Sequence, residues 1–212
     1  MKKGIIFDLD GTLWDSSLAV VDAWNDILKD EPDVSRKADI YWMQRLMGKT
    51  MTDIEDEFFD YLPKERRRVL MKACLDHENE YIAVHGGVLF DGVEDVLKEL
   101  KKTYCLFIVS NCQRDYIPSF YTAHGLGKYF DDYEEFERTG KVKADNIRLV
   151  FERNGLDRAF YIGDTMGDYN STMEAGLPFL HAAYGFGKVP EGTMHINDIR
   201  ELPKKAEEIL GI

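Results

Sequence analysis

Gly4-Ile5-Ile6-Phe7-Asp8-Leu9-Asp10-Gly11-Thr12-Leu13 stands close to the start of the chain, and its reading decides the fold. A short apolar run ends abruptly in two carboxylates and a glycine. A strand with one wet face would alternate apolar and polar residues, whereas an unbroken run suits a strand buried on both faces, as in a parallel sheet covered by helices. The pattern recurs. Leu106-Phe107-Ile108-Val109 ends at Ser110-Asn111, Phe160-Tyr161-Ile162 ends at Gly163-Asp164, and Phe179-Leu180 leads into His181-Ala182-Ala183. A weaker strand is expected near 132–136. Helix-like stretches follow each run, so the expected fold is α/β with a doubly wound parallel sheet.

The helices carry their own signals. Asp91 and Glu94 have capping-box spacing ahead of Val93, Val96, Leu97 and Leu100. A helix with Ile147, Val150 and Phe151 on one face runs from near Ala144 to Arg153 and stops at Asn154-Gly155. A last one follows Pro203. From about residue 16 to 84 the pattern is helical throughout. Leu18, Val21, Trp24 or Asn25, and Leu28 fall at helical spacing, as do Val69, Ala73, His77, Tyr81 and Val84 in a helix starting after Pro63. An all-helical stretch after the first strand of such a sheet predicts an inserted cap domain over 16–84, with the core formed by 1–15 and 85–212. Gly86 and Gly87 mark the return and could act as a hinge.

Composition narrows the function. The 212 residues carry 27 Lys and Arg against 39 Asp and Glu, a net charge of −12. Such a surface repels nucleic-acid backbones and anionic lipid, so neither is an expected partner. An anionic substrate would need a local cation or a metal. Cys74, Cys105 and Cys112 are scattered without metal or disulfide spacing. The apolar run before Asp8 is too short for a signal sequence or membrane span, so a soluble cytoplasmic protein is expected, as monomer or homodimer.

Ligands of doubly wound sheets bind beyond the carboxyl ends of the strands. Asp8 and Asp10, Ser110 and Asn111, and Asp164 and Asp168 all fall at that edge. Alone, Asp-x-Asp-Gly is as readily turn chemistry as a site; the strand before it and the other clusters on the same rim favour a site.

Asp8-Leu9-Asp10-Gly11-Thr12-Leu13 resembles the first motif of the haloacid dehalogenase superfamily, DxDGTL, in its phosphatase form. Ser110-Asn111 resembles the second, Lys143 at a helix start the third, and Gly163-Asp164-Thr165-Met166-Gly167-Asp168 the fourth, with Ala175-Gly176 as its tail. The resemblance implies a Rossmann-like core with a helical cap and Mg²⁺-dependent hydrolysis of a small phosphorylated metabolite, as in phosphoglycolate phosphatases. Asp8 would be the nucleophile, passing through an aspartyl-phosphate, and Asp10 the general acid and base. Mg²⁺ would be held by the Asp8 carboxylate, the Asp10 backbone carbonyl and the Asp164 carboxylate. Asp168 would orient a metal-bound water or Lys143, and equally suits the N-terminus of a helix. Ser110, the Asn111 amide and the Gly11 and Thr12 amides would hold phosphate oxygens, with Lys143 adding positive charge. Lys143 is preferred to Lys141 because it directly precedes the helix, although Ala144 replaces the family's usual proline. Asp91 likewise stands where a proline is common.

Arg45 and Lys49, flanking Gly48, are the cap candidates for substrate specificity; both could equally lie in solvent. Trp14, Trp24 and Trp42 suit packing, His77 and His124 helix faces, and Cys112 an incidental thiol. A phosphosugar mutase would share the aspartyl-phosphate, and a catalytically idle binding module is the reading from another class. Dehalogenases of the superfamily lack the second aspartate, which is present here as Asp10.

Overall fold

The computed structural model describes residues 1–211. In chain order, β1 (Lys3–Phe7) and β2 (Trp14–Asp15) precede helices α1 (Ser17–Leu28), α2 (Ile40–Leu46), α3 (Met51–Phe58) and α4 (Lys64–His85). Then come β3 (Val88–Leu89), α5 (Val93–Leu100), β4 (Cys105–Ser110), α6 (Tyr116–His124), β5 (Asp132–Glu135) and the single turn α7 (Phe136–Thr139). The chain continues through α8 (Lys143–Arg153), β6 (Arg158–Gly163), α9 (Met166–Ala175), β7 (Phe179–Ala182), β8 (His195–Ile196) and α10 (Leu202–Leu210).

Six strands form one sheet in the order β5-β4-β1-β6-β7-β8, every pair parallel. Alternate residues of the central strands face opposite sides. Ile5, Phe7, Leu106, Ile108, Phe160 and Ile162 pack with Leu97 of α5, Phe120 of α6 and Leu202 of α10. Ile6, Phe107, Val109 and Tyr161 pack with Ile147 and Val150 of α8. Burial on both faces is why these runs carry no polar residue, and each large side chain so buried contributes about 1.5–3 kcal/mol. The chain runs outward from β1 through β4 to β5, then crosses to β6 on the other side of β1. That reversal opens a crevice at the carboxyl end of β1.

The four helices α1–α4 lie between β2 and β3, which pair antiparallel through Trp14↔Leu89 and Asp15↔Val88. Trp14 is buried against Tyr116, Phe120 and His124. No helix among the described residues is long and apolar enough to cross a membrane.

Three local expectations need correction. The N-cap of α5 is Gly92, at φ 88°, with no side-chain cap; Asp91 plays no such part, and Glu94 bonds Lys128 and Tyr129 instead. The left-handed turn at glycine replaces the expected capping box. In α4 the buried stripe is Leu70, Met71, Cys74, Leu75, Glu78 and Ile82, while Val69 and Val84 are exposed. The longer Leu and Met side chains bury more area than the valines, and they decide which face turns inward. In α1, Leu18 is likewise exposed, and Val20, Ala23, Trp24 and Leu28 are buried.

Candidate active site

Asp8 follows β1 directly and is buried, its backbone N–H donating to Ile162 at 2.8 Å. Lys143, the first residue of α8, is buried opposite. Its ammonium lies 2.9 Å from Asp8 Oδ1 and 2.6 Å from Asp168 Oδ1. Lys143 is therefore the lysine the fold brings to the site, and both its carboxylate partners hold its pKa well above the usual range against the effect of burial.

Asp164 follows β6. The Phe186 backbone N–H donates to its Oδ2 at 2.7 Å, while its Oδ1 is buried without a partner. Glycines make room for it: a Cβ on Gly11 would stand 2.4 Å from Asp164 Oδ2, and one on Gly185 would stand 2.4 Å from Asp164 Cβ. Gly11 also has φ 78°, which L side chains rarely adopt. Asp168 completes a capping box at the start of α9. Its Oδ2 accepts from the Thr165 backbone N–H at 2.9 Å and hydroxyl at 2.6 Å. With Lys143 on the other oxygen, both Asp168 oxygens are engaged by the protein, and its expected roles of helix capping and lysine orientation coexist.

Carboxylate oxygens of Asp8, Asp164 and Asp168 lie within 4.8 Å of one another. Burial pushes the Asp8 carboxyl up to about 7, with the Asp168 charge adding to it and Lys143 opposing. Burial also lifts Asp164 to about 8, helped by Asp168 and Asp8. Asp168 is the exception: burial acts upward, but the Lys143 charge and hydrogen bond overcome it and hold this carboxyl below its ordinary value. Three carboxyl groups crowd around one ammonium, and one Asp164 oxygen is orphaned. Ligands of one Mg²⁺ sit about 2.1 Å from the ion, hence roughly 3–4 Å from each other, and the residues present fit such an ion.

Asp10 is partly exposed. The Ser16 hydroxyl donates to its Oδ1 at 2.5 Å, and the Tyr116 hydroxyl lies 3.0 Å from the same oxygen. Burial raises its pKa to about 6 despite those donors. Neither Ser16 nor Tyr116 was legible as a partner, since one lies at a helix start and the other in an aromatic helix far along the chain.

The phosphate donors need one correction. The Gly11 N–H donates to Trp14 O at 2.9 Å and the Thr12 N–H to Leu9 O at 3.2 Å, so both expected amides are engaged in the turn itself. The amides of Leu9 and Asp10 make no hydrogen bond among the described residues, and Ser110 is buried nearby at the end of β4. Asn111 donates its side-chain amide to Gly48 O at 3.0 Å, tying the core to the α2–α3 loop.

A cavity of ≈ 60 Å³ adjoins the site, lined from the core by Asp10, Ser110, Asn111 and Gln113, and from the helices chiefly by apolar residues. Arg45 does not line it. Its guanidinium pairs with Glu57 at 2.5 Å, and Lys49, which does line the cavity, pairs with the same carboxylate. The two cap candidates are thus brought together on Glu57.

Residues 5–182 match the family model for haloacid dehalogenase-like hydrolases. A phosphoglycolate phosphatase from Shigella dysenteriae serotype 1 is 28% identical, the alignment covering 87% of this chain and 82% of its own length. Another, from Rhodobacter capsulatus, is 27% identical over 90% of this chain and 88% of its own. A haloacid dehalogenase-like family hydrolase from Streptococcus pneumoniae has the same fold, with a TM-score of 0.81, 24% identity and coverage of 96% and 98%. The chain belongs to the haloacid dehalogenase-like hydrolases and is a phosphatase of that family.

Proposed function

We propose that the protein is a Mg²⁺-dependent phosphomonoesterase acting on a small phosphorylated metabolite through an aspartyl-phosphate on Asp8. The observation that carries this reading is the buried set of Asp8, Lys143 and Asp164, with one Asp164 oxygen left without a partner.

The Asp8 oxygen not held by Lys143 attacks phosphorus as the bond to the ester oxygen breaks. Asp10 gives its proton to the departing alkoxide; a pKa near 6 keeps part of its population protonated close to neutrality. Asp10 then takes a proton from the water that attacks the aspartyl-phosphate, which frees Asp8 and releases inorganic phosphate. Lys143 neutralises charge building on the transferring group. The amides of Leu9 and Asp10 and the Ser110 hydroxyl hold its oxygens. Mg²⁺, when bound, supplies charge neutralisation; the Asp8 and Asp164 carboxylates and the Asp10 carbonyl would hold it. Asp168 fixes Lys143 and leaves the ion to the other two.

Residues 16–84 read as a cap over this cleft. The Asn111 side-chain bond to Gly48 supports that reading. A mutase is disfavoured, because a phosphosugar surrounds itself with hydroxyls and the helical wall offers them mostly Val20, Met43, Leu46, Met51, Ile54 and Leu75. The test is phosphate release from small esters and acetyl phosphate with and without Mg²⁺, for wild type and Asp8→Asn. Metal-dependent release lost in the folded variant is expected. Silence across metals and pH would leave a binding module.

A further inference from the structure

One charged group in the cavity has no part in the chemistry above. Glu78, on α4, is buried and lines the same cavity as Asp10. Its Oε2 accepts from the Trp24 indole N–H, and its Oε1 accepts from the Gln113 amide at 2.9 Å. Both donors are neutral. Trp24 is itself fixed by Phe58 at 5.2 Å and Phe59 at 6.2 Å. Gln113, also buried, donates to Asn79 as well, at 3.1 Å. The carboxylate is thus held in place with no counter-ion. Among the described residues, Lys49 is the one cation lining the cavity, and its ammonium pairs with Glu57.

The cavity therefore presents to the organic end of a substrate an apolar wall and a fixed acceptor. An ester ending in a carboxylate would bury a second negative charge beside Glu78 with no free cation to meet it. A donor end would use lone pairs that Trp24 and Gln113 leave open. The space is small, ≈ 60 Å³, which suits a short organic end.

Resting on the phosphatase reading, we infer that Glu78 is a specificity-determining residue, selecting phosphomonoesters whose short organic end carries a hydrogen-bond donor without negative charge. This separates the chain from the curated phosphoglycolate phosphatases it resembles, whose named substrate ends in a carboxylate. A structural role alone, stitching α1 to α4, would leave substrate ratios unmoved.

The experiment compares kcat/KM for 2-aminoethyl phosphate, 2-hydroxyethyl phosphate, ethyl phosphate and 2-phosphoglycolate, with Mg²⁺, in wild type and Glu78→Gln. For wild type, at least one donor ester is expected to exceed phosphoglycolate by about tenfold or more, as pockets built around a polar group reject mismatched ends. In Glu78→Gln that ratio falls to within about threefold, chiefly through KM, because the amide keeps the shape and removes the charge. The aminoethyl and hydroxyethyl arms tell whether charge or hydrogen bonding dominates. A wild type preferring phosphoglycolate overturns the inference without needing the variant, and leaves the phosphatase reading standing. An unchanged ratio in folded Glu78→Gln also overturns it. No phosphate release from any ester, p-nitrophenyl phosphate included, removes both.

Discussion

Replacing Lys143 with methionine tests the electrostatic logic of the site most directly. Methionine matches the length and bulk of the lysine stem but leaves Asp8 and Asp168 facing one another without a cation. All three side chains are at most 3% exposed. Breaking a buried ion pair by removing one partner costs about 3–5 kcal/mol. For a chain of this size that is a fall in Tm of roughly 6–20 °C, at about 2–4 °C per kcal/mol. The loss must depend on pH. Unfolded, both carboxylates ionise near their ordinary values; folded without Lys143, both are raised, so the folded variant binds protons more tightly than its unfolded chain. Its deficit is small near pH 4 and grows as pH rises toward and past 7. The assay is thermal unfolding followed by circular dichroism in EDTA, wild type against variant, from acid to mildly alkaline buffer. A deficit under about 1 kcal/mol at neutral pH, or one flat with pH, would refute the reasoning, since true buried pairs cost more than exposed ones.

Three other outcomes are expected. Asp10→Asn slows alkyl phosphates, whose leaving groups need a proton, by about 10²–10⁴-fold and acetyl phosphate far less; equal losses in steady-state kinetics would make Asp10 structural. Mg²⁺ raises Tm more at pH 8 than at pH 5, because protons compete for Asp8 and Asp164, whose carboxyls burial lifts to about 7 and about 8; scanning calorimetry with and without the ion checks this. Gly185→Ala places a methyl 2.3 Å from Gly11 O and 2.4 Å from Asp164 Cβ. It should weaken Mg²⁺ binding by about 10–100-fold, as displaced ligand-orienting groups do, measured by titration calorimetry.

The sheet was legible because β1, β4 and β6 are buried on both faces and leave an unbroken apolar trace. β8 was not, since two residues, His195 and Ile196, carry no period. α6 was obscured by Pro118 in its first turn. In the site, Asp8, Asp10, Ser110, Asp164 and Asp168 stood out through side-chain chemistry near strand ends, and Lys143 through its place at a helix start in the family's third motif. The Phe186 N–H that holds Asp164 did not, because a backbone donor has no side-chain signature; only the glycines at 185 and 187 hinted at close approach. Glu78 sits in Asp76-His77-Glu78-Asn79-Glu80, a run that reads as a solvated face. Its burial follows from Trp24 and Gln113, which are distant in sequence.

The pairing of β2 with β3 reaches further than its two residues per strand suggest. Because both crossings run side by side, a twist of α1–α4 against the sheet would shear Trp14 from Leu89. Ser16 lies just past the strap at the start of α1, with its hydroxyl on Asp10 instead of capping the helix. A Ser16→Ala change at that joint would take one donor from Asp10, and a carboxylate losing a donor holds its proton more firmly. The strap that ties these helices to the sheet thus also carries one of the contacts that set the acidity of Asp10.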